Sequence, residues 1–192
     1  MPELPEVETT VRAIDKFENH ILEEIIIHNR NLRWKVETKV QSLTKRKLVV
    51  KITRRAKYIL IYLDDNCLMI HLGMSGKLRI QNNADNYFKK HDHAELVFKN
   101  EKIVFNDVRR FGSIHLSKNP HKHKLIKNLG VEPLSRAFNK FYLKNICENS
   151  NLCIKKLIMD QKYVVGVGNI YASESLFIAK INPMRLSKDI SI

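Results

Sequence analysis

The spacing of hydrophobic residues divides the chain into a β-rich first part and a helical second part. Val7, Val11 and Ile14 recur at helical intervals, which predicts an amphipathic helix over residues 5 to about 17. Short apolar runs follow, separated by polar turn residues, and this spacing is typical of antiparallel strands. The predicted strands cover residues 21–22 with 25–27, 48–52, 58–63, 67–70, 77–80, 94–98, 102–105 and 113–116. We therefore predict an α+β fold class in which residues 2–117 form a leading helix plus an antiparallel β-sandwich.

The pattern changes after residue 117, where the sequence becomes polar and contains Pro120, Gly130 and Pro133. These residues interrupt helices and strands, so we predict a linker over residues 118–135. Helical periodicity then returns in three stretches, at residues 138–147, 154–160 and 169–179. The sequence therefore predicts a second, helical domain over residues 136–192.

The charge of the chain indicates what kind of partner it binds. Its 192 residues include 34 Lys and Arg against 20 Asp and Glu, and the formal net charge of +14 is spread through segments that are predicted to fold. This charge favours a polyanion as partner, with nucleic acid ranked before an acidic membrane surface. The sequence has no apolar run long enough to span a bilayer, and its acidic start is unlike a signal peptide.

The chain has three cysteines, Cys67, Cys147 and Cys153, which lie in apolar surroundings. They lack the C-x-x-C spacing that is typical of zinc and redox sites. We interpret them as buried thiols of a protein in a reducing cytosol, and a metal or redox role is the alternative.

Reactive chemistry is concentrated in the first residues of the chain. If Met1 is removed, Pro2 becomes an N-terminal secondary amine, whose pKa near ~8 leaves more of it unprotonated at neutral pH than a lysine. Condensation of this amine with an aldehyde gives a cationic iminium, which is a good electron sink. Glu3 is adjacent and Glu6 lies one helical turn further on, so both carboxylates can exchange protons near the amine. The alternative is ordinary helix-start chemistry, with Pro5 in the first turn and acids at the positive end of the dipole.

Four further segments combine cations, glycines and aromatic residues. Lys57 begins a predicted strand after two arginines, whose positive charges discourage its protonation. Such a lysine suits proton transfer or phosphate binding. The alternative is that this segment is only a basic edge exposed to solvent. Met74 lies on a glycine-flanked turn, where it either packs back on the fold or forms a wedge between bases. Arg109 and Phe111 place a cation next to an aromatic ring in a loop. Residues 166–169 open a helix whose backbone N–H groups suit a phosphate.

Together these segments resemble the bacterial formamidopyrimidine-DNA glycosylases, which are 8-oxoguanine DNA glycosylases and AP lyases. The motifs that carry the resemblance are spread from residue 1 to beyond residue 180. They are M-P-E-L-P-E-V-E-T at the start, R-R-A-K-Y around Lys57, H-L-G-M-S-G from His71, K-H-D-H from Lys90, D-V-R-R-F-G from Asp107 and M-D-Q-K-Y-V-V-G-V-G-N-I-Y-A-S-E-S-L-F from Met159. The resemblance implies a catalytic β-sandwich followed by a helix-two-turn-helix DNA-binding domain that is cut short.

The resemblance implies a base-excision reaction that starts at Pro2. Pro2 would attack C1′ of a nucleotide carrying 8-oxoguanine or a formamidopyrimidine, expel the base and form a Schiff base, from which β-elimination cleaves the strand. Glu3 would protonate the sugar ring oxygen, and Lys57 would donate a proton and hold a phosphate. Glu6 is interpreted as an orienting residue rather than a proton carrier.

The resemblance also implies which residues bind DNA. Met74, Arg109 and Phe111 are similar to the three residues that fill the space left by an extruded nucleotide, and Arg109 would meet the orphaned cytosine. This triplet favours the purine-specific enzymes over the endonuclease VIII proteins, which prefer oxidised pyrimidines. The other DNA-binding residues are expected to be His71, His91, Lys155, Asn169 and Tyr171. The implied partner is double-stranded DNA with oxidised purines or abasic sites, bound by a monomer in the bacterial cytoplasm, associated with the nucleoid and not with a membrane.

Two features depart from the family pattern. The family continues into a four-cysteine zinc finger with an arginine that assists δ-elimination, whereas this sequence ends at Ile192 without a C-x-x-C motif. We therefore expect a truncated family member with no metal or other cofactor and with weakened DNA binding, because phosphate contacts dominate affinity. Asn151 stands where the family tends to have a lysine, so one phosphate contact is expected to be lost. The alternatives to an active enzyme are a non-catalytic DNA- or lesion-binding remnant and a generic basic nucleic-acid-binding protein.

Overall fold

Two units make up the fold, and the chain passes from the first to the second between His123 and Lys124. The structure is a computed structural model that describes residues 2–85 and 87–191. The passage between the units lies within residues 118–135, where the sequence predicts a linker. No helix in the described ranges is long and apolar enough to cross a membrane.

The N-terminal helix, α1, spans Leu4–Ile14. A reciprocal capping box starts it, because the Glu3 carboxylate accepts the backbone N–H of Glu6 and the Glu6 carboxylate accepts that of Glu3 at 2.8 Å. The apolar residues at helical spacing are buried, as predicted. The helix ends earlier than predicted, and Asp15–Phe17 continue it as a 3-10 turn.

Two antiparallel sheets form the body of the first unit. The strands of the described chain are β1 (Ile21–Leu22), β2 (Glu24–Ile27), β3 (Lys47–Arg55), β4 (Tyr58–Leu63), β5 (Cys67–His71), β6 (Lys77–Asn82), β7 (Asp92–Val97), β8 (Glu101–Asn106) and β9 (Ser113–Ser117). Their order is β1-β3-β4-β5-β9 in the five-stranded sheet and β2-β7-β8-β6 in the four-stranded sheet. The predicted α+β class with an antiparallel β-sandwich is confirmed.

The first apolar run, at residues 21–27, serves both sheets. Its first half, β1, pairs with β3, whereas its second half, β2, pairs with β7. Glu23 lies at the change, where its N–H donates to Val97 at 2.9 Å and its carbonyl accepts from Arg46 at 3.1 Å. The core that the two sheets and α1 enclose includes Val7, Ile14, Leu22, Ile25, Ile59, Ile61, Leu68, Ile70, Leu96, Ile103 and Phe105.

The sequence does not predict the short helix α2, which spans Lys39–Thr44. Val40 is fully buried, and the Thr44 hydroxyl donates to the Val40 carbonyl at 2.7 Å. Six residues are too few to show a helical period, so the spacing of apolar residues carries no signal for this helix.

Three α-helices form the described part of the second unit, and their ends lie within two residues of the predicted ones. They are α3 (Lys140–Glu148), α4 (Ile154–Met159) and α5 (Asn169–Ile178). The start of α3 is set by the Asn139 side chain, which accepts the backbone N–H groups of Phe141 and Tyr142, both at 3.0 Å. The hydrophobic core of the second unit contains Ile146, Cys147, Ile154, Leu157, Val164 and Leu176.

The last part of the predicted linker is built into the second unit. Ile126 is buried, and Val131 forms a parallel bridge with Val164. A Cβ on Gly130 would lie 2.2 Å from the carbonyl oxygen of Tyr163, so only glycine fits at that approach. This stretch is therefore a packed connection on its C-terminal side.

Candidate active site

The start of α1 places two carboxylates next to Pro2. Pro2 is half-buried and Glu3 is 2% exposed, immediately before the first helical residue. The Glu6 carboxylate accepts a hydrogen bond from the backbone N–H of Glu3 at 2.8 Å. This contact gives Glu6 the geometry of an orienting residue, because it fixes the backbone of the residue that follows Pro2.

Lys57 reaches the same region from the turn between β3 and β4. Arg55 pairs with Tyr58, so Ala56 and Lys57 form a two-residue hairpin turn in which Ala56 has a φ of +53°. Lys57 is 8% exposed, and burial lowers its pKa, whereas the nearby charge of Glu3 opposes that shift. The predicted lowering is therefore present, but the predicted cause is wrong, because burial and not the neighbouring arginines produces it. Glu3 is therefore within electrostatic range of Lys57.

His71, at the end of β5, is a neutral hydrogen-bond donor. Its Nδ1 accepts the backbone N–H of Gly73 at 3.1 Å, so the ring proton lies on Nε2. Burial lowers the pKa of His71 to about 4, and the charges of Lys57 and Arg33 add to the shift. The Tyr58 ring packs against the imidazole with 4.7 Å between the ring centroids.

A buried carboxylate joins the two loops that carry Met74, Arg109 and Phe111. Asp107 is fully buried; its Oδ1 accepts the Ser75 hydroxyl and, at 3.3 Å, the N–H of Arg109. Its Oδ2 accepts the N–H of Gly112 at 2.7 Å. One carboxylate therefore holds both the turn after Met74 and the backbone on either side of Phe111.

The side chains on these loops remain exposed. Met74 is 43% and Phe111 is 42% exposed, and the Arg109 guanidinium lies 5.0 Å from the centroid of the Phe111 ring. The interpretation in which Met74 packs back on the fold is therefore wrong. The loop backbones touch, since a Cβ on Gly73, whose φ is +65°, would lie 2.4 Å from the carbonyl carbon of Phe111. The structure thus gathers the three predicted wedge residues on one surface of the first unit.

His91 lies beside these loops. Its carbonyl accepts the backbone N–H of Asp107 at 3.0 Å, and its half-buried ring is 6.4 Å from the ring of His93. The next residue, Asp92, is buried and accepts from Arg79 at 2.8 Å, which fixes the strand start after His91.

Sequence reasoning missed two functional candidates in this unit. Asp107 is the first residue of the D-V-R-R-F-G motif, but nothing in that motif indicates that the Asp107 carboxylate is buried. Arg33 is exposed, its N–H donates to the Gly112 carbonyl at 3.1 Å, and its guanidinium lies 4.6 Å from the Trp34 ring centroid. No ion pair of Arg33 occurs within the described part of the chain, so its charge is available beside His71. The only signal in the sequence was an arginine next to the single tryptophan.

The second unit presents its predicted DNA-binding residues around the start of α5. Asn169, the first residue of α5, is exposed and follows the glycine loop, in which Gly166 has a φ of +79°. Tyr171 is 41% exposed. The Lys155 ammonium donates to the Ser173 hydroxyl at 3.0 Å, so the predicted Lys155 lies next to α5.

Asn151, where the resemblance leads us to expect a lysine, contacts a lysine from another part of the chain. The Lys188 ammonium donates to the Asn151 side-chain oxygen at 3.1 Å. Ser187, fully buried, holds the segment in place through its hydroxyl, which donates to the carbonyl of Leu152 at 2.8 Å. A lysine from another part of the second unit therefore brings positive charge to position 151.

The cysteines fit the structural interpretation only in part. Cys67 and Cys147 are buried, whereas Cys153 is half-buried. Burial raises the pKa of Cys67 to about 12 and also raises the pKa of Cys147, so these two thiols are unreactive. Among the described residues, no group of three or more His, Cys, Asp or Glu side chains is arranged to hold a metal ion.

The lowered pKa of Lys57 predicts a pH-dependent cost in stability. At a pH below the folded-state pKa of Lys57, burial of the charged ammonium lowers the free energy of unfolding. This cost disappears as the pH rises towards 10.5, which is the pKa of lysine in the unfolded chain. We expect Lys57→Met to raise the melting temperature at pH 7, with a gain that shrinks near pH 10.5. Lys51→Met, at an exposed position of β3, is the control and should give little change. A lower melting temperature for Lys57→Met at pH 7 would show that Glu3 more than offsets the burial.

Comparison with protein families matches both units. The model described as "Formamidopyrimidine-DNA glycosylase N-terminal domain" matches residues 1–114, and "Formamidopyrimidine-DNA glycosylase H2TH domain" matches residues 129–192. Among curated proteins, formamidopyrimidine-DNA glycosylases of Cronobacter sakazakii and Legionella pneumophila are each 47% identical over the whole chain. The chain spans 71% and 70% of the lengths of these relatives.

Solved structures agree with the family models. A complex of the Lactococcus lactis Fpg with DNA that contains an abasic site has a TM-score of 0.90 at 31% identity, covering 98% of this chain and 71% of that one. A complex of the wild-type L. lactis Fpg with N7-benzyl-Fapy-dG DNA has a TM-score of 0.91 at 32% identity, covering 99% of this chain and 72% of that one. With both units matched, the chain belongs to the formamidopyrimidine-DNA glycosylase family.

Proposed function

We propose that the chain is a DNA glycosylase and AP lyase of base-excision repair that removes oxidised purines, namely 8-oxoguanine and formamidopyrimidines. The observation that carries this proposal is the convergence of Glu3 and Lys57, both buried, on the segment that follows Pro2. The similarity to Fpg proteins solved with abasic-site DNA and with N7-benzyl-Fapy-dG DNA supports the same substrate class.

The proposed reaction begins once Met1 is removed, so that Pro2 has a free secondary amine. The nitrogen lone pair bonds to C1′ of an extruded nucleotide as the bond from C1′ to the base breaks, and the base leaves with that electron pair. Glu3 takes the proton that the attacking amine loses and passes it to the sugar ring oxygen, so that the ring opens and an iminium remains at C1′. Loss of a proton from C2′ then lets the iminium accept electrons, and the 3′ phosphate departs in a β-elimination.

Lys57 has two roles in this proposal. Its lowered pKa makes the ammonium a better proton donor than an exposed lysine, and its charge holds a phosphate of the reacting nucleotide. The neutral His71 donates a hydrogen bond from Nε2 to a phosphate oxygen without adding charge. Arg33 provides a full positive charge on the same side of β5, supported by its stacking on Trp34.

The wedge residues account for access to C1′, which is hidden in a stacked duplex. Met74 and Phe111 are exposed apolar side chains that fill the space of the extruded nucleotide, and Arg109 hydrogen-bonds the orphaned cytosine. His91 contacts the backbone from the neighbouring loop. In the second unit, the exposed Asn169 at the N-terminus of the ten-residue helix α5 binds a phosphate. Further contacts there are assigned to Lys155, Tyr171 and Lys188.

The proposed partner is double-stranded DNA with oxidised purines or abasic sites, bound by a monomer. The formal net charge of +14 supports attraction to this polyanion. We place the protein in the bacterial cytoplasm with the nucleoid DNA, and no step of the mechanism requires a metal.

Borohydride trapping on an abasic-site duplex tests the nucleophile. The mature chain should form a covalent adduct, because reduction fixes the Schiff base at Pro2. A form shown to retain a residue before Pro2 should form none, and Pro2→Gly should trap but eliminate more slowly. Lys57→Ala should still trap, since lysine is not the nucleophile. Full trapping by the form with the extra residue would contradict the assignment, and no trapping by the mature chain would leave DNA binding without catalysis.

The charge states of His71 and Arg33 predict different salt dependences of DNA binding. Arg33→Gln removes one cation from a phosphate, so the slope of log K against log salt should become less steep by about 0.9. His71→Ala should weaken binding with an unchanged slope, because the ring is neutral. Fluorescence anisotropy on a duplex with an uncleavable abasic-site analogue, over a series of salt concentrations, measures both. A reduced slope for His71→Ala would mean that the ring is charged in the complex.

A further inference from the structure

We infer that Arg54 is a positioning residue that couples the helix of the nucleophile to the hairpin turn of Lys57. This inference rests on the proposed function, because it concerns how Pro2 and Lys57 are held for the same reaction. Arg54 does not touch the reacting atoms in this account. It acts through Glu8 and Ala56, which belong to the two elements that carry the reactive groups.

The contacts of Arg54 connect these two elements directly. Its Nε donates to the Glu8 carboxylate at 3.1 Å, and Glu8 lies on α1 in the second turn after Pro2. Its Nη1 donates to the carbonyl of Ala56 at 2.7 Å, and Ala56 immediately precedes Lys57. A single guanidinium therefore holds the start of α1 and the Lys57 turn at a fixed separation.

The turn needs such support because of its backbone conformation. Ala56 has a φ of +53°, which residues with a Cβ rarely adopt, and it is 1% exposed. In a two-residue hairpin, this residue sets the direction in which Lys57 leaves the sheet. A hydrogen bond to the Ala56 carbonyl opposes rotation of the peptide unit that joins Ala56 to Lys57.

The chemistry of arginine suits this task better than that of lysine. The planar guanidinium carries several N–H donors in fixed directions, so it can bind a carboxylate and a carbonyl at the same time. The Arg54 side chain is 13% exposed, and Glu8 is 35% exposed, so the pair is partly protected from solvent. Because Arg54 is paired with Glu8, its positive charge beside Lys57 is partly offset.

Arg12 provides a matched comparison on the same carboxylate. Its Nε donates to Glu8 at 3.2 Å, but its side chain is 76% exposed, and its ion pair spans one turn within α1. Arg12→Gln therefore removes an arginine partner of Glu8 without disturbing the contact to Ala56. A role that depends on the net charge around Glu8 would affect both arginines, whereas a positioning role affects Arg54.

The test compares Arg54→Gln, Arg54→Lys and Arg12→Gln with the unaltered chain on an abasic-site duplex. The single-turnover rate of β-elimination at saturating DNA should fall about tenfold or more for Arg54→Gln, because small misplacements of catalytic groups are costly. Arg54→Lys should recover part of the rate, since it keeps the ion pair with Glu8 but not both contacts. Affinity for a duplex with an uncleavable abasic-site analogue should stay within about twofold, because the Arg54 side chain is mostly buried and is engaged by Glu8 and Ala56.

A second readout separates positioning from loss of fold. The pH dependence of the elimination rate should shift for Arg54→Gln, because a freed turn exposes Lys57 and lets its pKa rise towards 10.5. Arg12→Gln should leave both the rate and the pH profile unchanged. If Arg54→Gln does not fold, Glu8→Gln provides the test, because it removes the ion pair with Arg54 and keeps the contact between Arg54 and Ala56. The pH profile of elimination should then shift in the same direction as for Arg54→Gln, but by less.

Four outcomes decide the inference. The inference would be overturned if Arg54→Gln and Arg12→Gln had equal rates and equal pH profiles. It would also be overturned if the loss of activity in Arg54→Gln came entirely from weaker DNA binding. A lower saturated rate with a shifted pH profile for Arg54→Gln alone would support it. Absence of elimination by the unaltered chain would instead contradict the proposed function, and with it the inference that rests on that function.

Discussion

The structure depends on keeping charged groups buried next to the N-terminus. Glu3 and Lys57 are almost completely buried, and removal of a charge from water is costly unless a partner or hydrogen bonds offset it. Here the capping box of α1 satisfies Glu3, and the opposing charge of Glu3 partly offsets the cost for Lys57. The remaining cost appears as the lowered pKa of Lys57. The proposed reactive centre therefore depends on the capping of α1 and on the packing of α1 against the sheet.

Buried charge also supports the surface that we propose faces DNA. Met74, Arg109 and Phe111 are exposed, yet their loops are held by the fully buried carboxylate of Asp107. Gly73 allows the two loop backbones to touch, since no Cβ fits between them. Exposed side chains on rigid backbone are suited to entering a base stack, because little conformational freedom is lost on binding.

The sequence predicted the elements of the fold well, because hydrophobic spacing reports burial directly. It did not reveal that residues 21–27 serve two sheets, since apolar residues are required in either case. It also gave no signal for α2, which is too short to show a period. Strand pairing and sheet change depend on contacts distant in sequence, which a local pattern does not contain.

The candidate site was predictable as a set of residues but not as an arrangement. Motifs identified Pro2, Glu3 and Lys57, yet the explanation for the pKa of Lys57 was wrong. The sequence shows that Arg54 and Arg55 are adjacent to Lys57, but only the structure shows that Arg54 is paired with Glu8. The same limit applies to Arg33, whose position beside Gly112 depends on a loop contact over a long stretch of sequence.

The central claim is that the N-terminal amine, and not the buried Lys57, bonds to the sugar. Peptide mapping by mass spectrometry of the borohydride-reduced adduct on an abasic-site duplex tests it most directly. The account predicts that the nucleotide remnant is found on the peptide that begins with Pro2, and that the peptide containing Lys57 has its unmodified mass. A remnant attached to the Lys57 peptide would contradict the account.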